Sequence, residues 1–363
     1  MARAIGEFAA PTRIVAGRGC ARERLGAELG ALGVEVAAVV VDRGFALAGL
    51  LEGLLAGVAG VGVPVCGLIG EDPDVAECEG AAALALAAGA QAVLAIGGGS
   101  ALCAAKAVAI RLRNPAPLEL YEGSGRLPAP PAPSIAVPTT AGSGSEVSNV
   151  VVLHDPGRPR HLVIRGRGYE PAVALLDGEL LVTLPRAPMI AAALDALSHA
   201  LESLWVRGSS RFSGALALAA AAALRTALPR ALGGDVDAMQ QLIEASAMAN
   251  LACGNSGLGL VHALSSAVGV ELPHGYQNGV LLPHVAAFNR DFVAPAVAGE
   301  IDALAGLYEK IGFEPRFGAG EVSGAGTDAM VAAAMGNPFR DNNRREAGVE
   351  ELRGVLAAAG AGA

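Results

Sequence analysis

The residues best suited to chemistry are Asp195 and His199, in Asp195-Ala-Leu-Ser-His199-Ala-Leu-Glu202, together with His262 and His274 further along the chain. The flanks from Met189 to Leu204 are rich in Ala and Leu and hold no Gly or Pro, so the segment reads as a buried helix. Positions four apart share a helix face, so Asp195 and His199 point the same way. A carboxylate oxygen and an imidazole nitrogen aimed at one point make half of a divalent transition-metal site. His262 in Gly259-Leu-Val-His262 and His274 in Leu272-Pro-His274-Gly extend the pair to one carboxylate and three imidazoles. The competing reading makes the histidines ordinary core residues and Asp195 a turn cap. With three of the chain's six histidines in apolar, motif-like settings, the metal reading is the stronger.

Two glycine-bearing loops have the character of a nucleotide site. Gly97-Gly98-Gly99-Ser100 follows the apolar run Ala92–Ile96 and precedes the helical run Ala101–Leu112. Glycines let a phosphate approach backbone N–H groups, and the helix start adds a favourable dipole. The spacing is not GxGxxG, so this is no ordinary Rossmann fingerprint. The second loop, Pro138-Thr139-Thr140-Ala-Gly142-Ser143-Gly144-Ser145, follows another apolar run and supplies four hydroxyls for a phosphate, ribose or nicotinamide edge. A solvated Ser/Thr loop is the alternative. Asp42, at the end of Val36–Val41, is placed to accept hydrogen bonds from an adenosine ribose.

The elements that must hold these residues alternate through the first half. Strands are expected at 13–16, 36–41, 63–68, 92–96 and 134–137, with helices at 21–32, 49–58 and 75–88. Strand character returns at 147–155 and 172–176. This rhythm predicts a parallel sheet with flanking helices. After Leu184-Pro185 the pattern is helical, most clearly at 215–228, 237–251, 258–270 and 349–359. The expected organisation is an α/β dinucleotide-binding domain over 1–183 and an all-helical metal-binding domain over 184–363, with the site in the cleft between them.

At 363 residues the chain can bury a large core, and its net charge of −9 argues against nucleic acid or an anionic membrane as partner. The apolar runs are broken too often for a membrane span, and residues 1–13 lack the apolar stretch of a signal peptide. Five scattered cysteines without CxxC spacing suggest a reduced, cytoplasmic protein.

Taken in order, Gly97-Gly-Gly-Ser…Lys106, Pro138-Thr-Thr-Ala-Gly-Ser-Gly-Ser-Glu-Val, Leu184-Pro, Asp195-Ala-Leu-Ser-His199, Gly259-Leu-Val-His262 and Pro273-His274-Gly…His284 resemble the iron-containing (group III) alcohol dehydrogenase family. The resemblance implies a nucleotide-binding α/β domain followed by a helical one, and metal ligation by Asp195, His199, His262 and His274. It implies Fe(II) as the metal, although this donor set also suits Zn(II). It implies a cofactor held by Asp42, Gly97, Gly98, Gly99, Ser100, Cys103, Thr139, Thr140, Ser143 and Ser145. An acid at position 42 favours NAD over NADP through like-charge repulsion of a 2′-phosphate, and Arg43 weakens that preference. The implied reaction is hydride transfer between nicotinamide and the carbonyl carbon of a small alcohol/aldehyde pair.

Two departures stand out. Cys103 occupies the place of a family Asp that helps to hold the nicotinamide half. Its thiol, in the first turn of a helix, is also open to a reactive role. Ser266 stands where many members carry another His, four residues after His262, and a hydroxyl there can relay a proton. His262 and Ser266 are therefore the candidate catalytic residues. Ser145, Asn149, Asn255, Ser265, Ser266 and Tyr276 are candidate pocket residues, a small polar set suited to a short substrate. Three other readings share the architecture: a metal- and NAD-using sugar-phosphate cyclase, a maleylacetate reductase, and a degenerate nucleotide or metal binder. The cyclase would need a basic cluster, for which Arg158, Arg160, His161, Arg165 and Arg167, in an expected loop, are the only group. The apolar helices of the second half suggest a homodimer.

Overall fold

A computed structural model describes residues 7–158 and 161–362. Residues 1–6, which opened the reading of the N-terminus, and Arg160 of the basic cluster lie outside the described residues. The described chain divides into two compact units. One comprises Ala10–Thr140 and Gly144–Leu184; the other takes residues 7–9, Ala141–Ser143 and everything from Pro185 onward.

The first unit is an α/β domain. Its strands are β1 (Arg13–Ala16), β2 (Ala37–Asp42), β3 (Val65–Ile69), β4 (Ala92–Gly97), β5 (Gly123–Ser124), β6 (Ser134–Pro138), β7 (Val150–Leu153), β8 (Leu162–Arg165) and β9 (Val173–Leu176). Its helices are α1 (Cys20–Ala31), α2 (Arg43–Leu47), α3 (Leu50–Leu55), α4 (Val75–Ala87) and α5 (Gly99–Arg113). Six strands form an all-parallel sheet in the order β1-β9-β6-β4-β2-β3. The inner strands β9, β6 and β4 are buried throughout, as a parallel sheet covered on both faces requires. Alternate side chains divide between the faces. Val39, Val41, Leu94 and Ile96 pack with Leu25 and Leu29 of α1 and Leu54 of α3. Ala38, Val40, Val93 and Ala95 pack with Cys78 and Ala82 of α4 and Leu102 and Val108 of α5. A second small sheet, β5-β8-β7, adds Val151, Leu153, Leu162 and Ile164 to the latter layer.

Two expectations need correction here. The helix expected over 49–58 is the shorter α3, and a further helix, α2, precedes it unexpectedly, the two separated at Gly49, whose φ of 72° suits glycine. The basic stretch expected as a loop contains β8, because Leu162 and Ile164 are apolar at period two and close onto β7.

The second unit, described by itself, is helical. It contains α6 (Arg186–Trp205), α7 (Arg211–Ala231), α8 (Val236–Ser256), α9 (Leu260–Ser265), α10 (His274–Asn289), α11 (Pro295–Asp302), α12 (Leu304–Ile311), α13 (Gly324–Gly336), α14 (Pro338–Asn342) and α15 (Val349–Ala358). Helix α6 is its axis and packs against α7, α8 and α10. That position explains why it is apolar nearly all round: Leu194, Leu197, Leu201 and Trp205 are buried, and so are Asp195, His199 and Glu202. Gly275 and Gly279 let α10 approach α6, for a Cβ at 275 would lie 2.6 Å from the Ala191 carbonyl oxygen and one at 279 would lie 2.8 Å from Leu194. Helix α7 is long and apolar enough to cross a membrane, which the sequence reading did not anticipate. In this fold it lies against α6 and α8. Helix α9 is shorter than the 258–270 expected and stops at Ser266.

Candidate metal centre and nucleotide loops

Three elements of the helical unit bring the four expected ligands together: α6 carries Asp195 and His199, α9 carries His262, and α10 begins with His274. The Nε2 atoms of His262, His199 and His274 lie 3.6, 3.8 and 3.9 Å from Asp195 Oδ1. Tetrahedral ligands at about 2.0–2.2 Å from a metal are about 3.3–3.6 Å apart, so the set is only slightly expanded. Asp195, His262 and His274 form one group whose ligand atoms are all within 4.8 Å of one another. His199 stands outside that mutual group, its ring stacked on His262 with centroids 4.6 Å apart. Asp195, His199 and His262 are buried, whereas the His274 side chain is about half exposed, so the group opens on the His274 side.

Asn278, one turn after His274 on α10, shows what the focus of this group attracts. Its Nδ2 lies 2.7 Å from Asp195 Oδ1, 3.0 Å from His274 Nε2 and 3.1 Å from His262 Nε2. An amide NH₂ has two hydrogens for these three acceptors, and its positive end occupies the point where a cation would satisfy all of them. Asn278 Oδ1 is buried and has no partner among the described residues. The donor chemistry and this convergence both suit a divalent transition metal.

The ligands are oriented from behind. His262 Nδ1 meets Glu202 Oε2 at 2.7 Å, while Glu202 Oε1 accepts the Val261 amide at 2.7 Å. A carboxylate on Nδ1 fixes the proton there and leaves the Nε2 lone pair for the metal. Gly259 makes room for it, since a Cβ there would lie 2.9 Å from Glu202 Oε1. His199 is held against the Gly142 carbonyl, which also accepts from Asn250 Nδ2 at 3.1 Å. Burial by itself would push the Asp195 carboxyl up, but His199, the bond to His262 and His274 outweigh it and hold Asp195 well below the usual carboxylate range. Burial pulls His199 down to about 4 despite Asp195, leaving a neutral imidazole. Burial also opposes protonation of His262, yet its bonds to Asp195 and Glu202 prevail and raise it to about 9.

The other candidates are placed as follows. Ser266 caps α9: its Oγ donates to the Ala263 carbonyl at 2.8 Å and accepts from Asn337 Nδ2 at 3.1 Å. In this arrangement its hydroxyl bonds the backbone rather than His262. Asn255 uses both atoms of its amide to hold Ala9. Tyr276 donates to Glu321 at 2.8 Å, and Ser265 Oγ is buried without a partner among the described residues.

In the α/β unit, Asp42 ends β2 and caps α2, its Oδ1 accepting the Phe45 amide at 2.8 Å. Gly97 ends β4 with φ 144°, and a Cβ there would come within 2.7 Å of the Asp42 Cβ, so the turn and the acid are built against each other. Gly98 and Gly99 open α5, a Cβ on Gly98 would lie 3.3 Å from Thr140, and the Thr139 amide bonds the Gly97 carbonyl. Ser100 Oγ accepts the Asp72 amide at 3.2 Å. Cys103 Sγ is 3.5 Å from Ser145 Oγ. The remaining hydroxyl, Ser143, falls in the segment that clusters with the helical unit. Arg43 turns toward the Leu68 carbonyl and Glu77. Asn149 is occupied through its carbonyl by Gly166. Of the basic cluster, Arg158 is paired with Glu122 and Asp155.

The sequence shows Glu202 and Gly142 within its motifs without a role for either at the metal centre, and it marks neither Asn278 nor Asn250. The signal for Asn278 was its spacing of four from His274; Asn250 carried none.

Comparisons with known proteins place the chain among similar proteins. Residues 11–178 match the sequence model described as iron-containing alcohol dehydrogenase, and residues 189–360 match that of the family's C-terminal part. An NAD-dependent methanol dehydrogenase of Bacillus methanolicus is 34% identical over 288 residues, covering 78% of this chain and 75% of its own. Among solved structures, a 1,3-propanediol oxidoreductase superposes with a TM-score of 0.91 at 26% identity, over 98% of this chain and all of its own. A sulfoacetaldehyde reductase from Bifidobacterium kashiwanohense, in complex with NAD+, gives 0.90 at 27% identity over 98% of each chain.

Proposed function

The chain belongs to the iron-containing alcohol dehydrogenase family, and from that premise we propose that it interconverts a short alcohol and its aldehyde with NAD as hydride carrier. It is an oxidoreductase acting on CH–OH groups, and the cyclase, maleylacetate reductase and binding-protein readings fall behind. The observation that carries the reading is the convergence of Asp195 Oδ1, His262 Nε2 and His274 Nε2 on the Asn278 amide.

Asp195, His199, His262 and His274 would hold the divalent metal, Fe(II) or Zn(II). When bound, the ion supplies Lewis acidity toward a carbonyl or hydroxyl oxygen. Glu202 holds the His262 Nδ1–H, and because His262 is raised to about 9, ligation through Nε2 releases a proton. His199, neutral through burial, needs no deprotonation to ligate. The half-exposed His274 marks the side from which a small substrate reaches the group. With Ser266 committed to α9, proton exchange is assigned to solvent on that side. The turn at Gly97–Ser100 would receive the cofactor's diphosphate and Asp42 its adenosine ribose, which favours NAD over NADP. We further propose a cytoplasmic homodimer, to be tested by light scattering and fractionation.

The test uses protein stripped of metal and reloaded anaerobically with Fe(II) or Zn(II), followed by NADH and NADPH oxidation against short aldehydes. Metal-dependent turnover, faster with NADH and lost in His274→Ala, is the expected result. Tight metal binding without oxidation of either cofactor by any aldehyde would overturn the dehydrogenase reading.

A further inference from the structure

A second group of metal-binding character lies in the α/β unit, built from other residues than the four above. One ligand atom from each of Asp72, His154 and His161 lies within 4.8 Å of the other two, the same criterion met by Asp195, His262 and His274. We propose that Asp72, His154 and His161 form a second divalent-cation site.

The hairpin sets the geometry of the two imidazoles. Strands β7 and β8 are antiparallel with Leu153 opposite Leu162, and His154 and His161 flank that last pair. The ring centroids are 6.1 Å apart, with planes at 67°. The carboxylate arrives from the loop after β3. That loop is sewn to the hairpin by the backbone: the His154 amide donates to the Pro73 carbonyl, and the Val75 amide donates to the His154 carbonyl, both at 3.0 Å. Asp72 itself has φ 47°, the only left-handed non-glycine residue among those described, and its amide is held by Ser100 Oγ at 3.2 Å. So placed, its Oδ2 is 3.6 Å from His154 Nδ1.

Two features point outward from this packing. His161 Nδ1 is buried and has no hydrogen-bond partner among the described residues. The Asp72 and His154 side chains are 64% and 36% exposed, which leaves the group accessible to an ion from solvent. Two imidazoles and one carboxylate select a borderline transition ion such as Zn(II), Co(II) or Ni(II) over Mg(II) or Ca(II), which prefer oxygen. The site also lies at the carboxyl end of the sheet and is bonded to Ser100 at the head of α5. This assignment depends on local residues only and stands whether or not the four-ligand centre is catalytic.

The test is a Zn(II) titration of the metal-stripped full chain at neutral pH, read as equivalents bound. Two equivalents per chain are expected, falling to one in the His154→Ala/His161→Ala double variant and, at the other centre, to one in His274→Ala. A native chain that binds one equivalent, lost in His274→Ala and kept in the double variant, would overturn the site. One equivalent lost in the double variant and kept in His274→Ala would instead uphold this site and defeat the four-ligand reading. If the double variant does not fold, the native chain still decides: Zn(II) should protect His154 from diethylpyrocarbonate modification, and unchanged modification counts against the site.

Discussion

Glu202 binds His262 and the turn that carries it at once: Oε2 takes the Nδ1 proton at 2.7 Å and Oε1 takes the Val261 amide at 2.7 Å. A carboxylate can accept on both oxygens, whereas an amide can accept on one only. Glu202→Gln therefore turns an NH₂ toward either the Val261 N–H or the His262 N–H. Metal affinity should fall about 10–100-fold, the usual cost of losing such a partner. Competition against a chromophoric chelator reads this directly, and unchanged affinity would remove Glu202 from the metal's support.

Asn278 should matter most when the metal is absent. Its amide satisfies Asp195 and two imidazoles from the point a cation would take. Asn278→Ala leaves those acceptors unpaired in the stripped protein, at a cost of about 1–3 kcal/mol. Metal restores their partners, so the rise in melting temperature on adding Zn(II) should be larger in the variant than in the native chain. Calorimetry with and without chelator checks this, and an equal rise would show that the amide does not stand in for the ion.

Gly142 links the hydroxyl-rich segment to the metal ligands. Its carbonyl serves His199 and Asn250, and a Cβ on it would lie 2.8 Å from the Ala192 backbone. Backbone cannot step aside as a flexible side chain can, so Gly142→Ala must push the segment off α6. A loss of about 1–3 kcal/mol is expected from overpacking alone, with weakened metal binding as His199 loses its support. Urea denaturation and metal content should fall together.

Much of this was readable before any coordinates. The continuous apolar runs at β2, β4 and β6, alternating with helical runs, announced a covered parallel sheet, and the Ala/Leu helix around Asp195 announced a buried face. The candidate ligands were legible because spacing of four on α6 and glycine or proline near His262 and His274 are local signals. Glu202, Asn250 and Gly142 were not, because their roles depend on contacts between α6, α8, α9 and the 141–143 segment. Such contacts have no sequence period. Strand β8 was missed because its three apolar residues lie inside a basic run, and the end of α9 at Ser266 could not be seen. The approach of His154 to His161, with ring centroids 6.1 Å apart, is something only the folded chain reveals.

Asp42 gives a test of cofactor choice. It caps α2 through Oδ1 and sits against Gly97. Asp42→Asn keeps the capping oxygen while removing the charge a 2′-phosphate would meet. Two like charges about 4 Å apart repel by about 1 kcal/mol in water and more near a protein surface. The ratio of kcat/KM for NADPH to that for NADH should therefore rise about tenfold. A ratio that does not move would place the ribose elsewhere.

Glu146 predicts a pH dependence of stability separate from catalysis. It is buried beside Lys106, whose ammonium donates to the Ser148 and Val150 carbonyls rather than to a carboxylate. Burial raises the Glu146 carboxyl from 4.5 to about 7, and Lys106 offsets only part of that. The folded state thus holds this proton more tightly than the unfolded state. Its stabilising contribution is complete below 4.5 and is lost as pH rises to about 7. The full change is about 3 kcal/mol. Glu146→Gln keeps a neutral side chain at every pH, so the native chain should lose stability relative to this variant between about pH 5 and pH 8. Urea midpoints measured across that range would show the two curves diverging as pH rises. Parallel curves would mean that Glu146 is ionised throughout and that Lys106 compensates it fully.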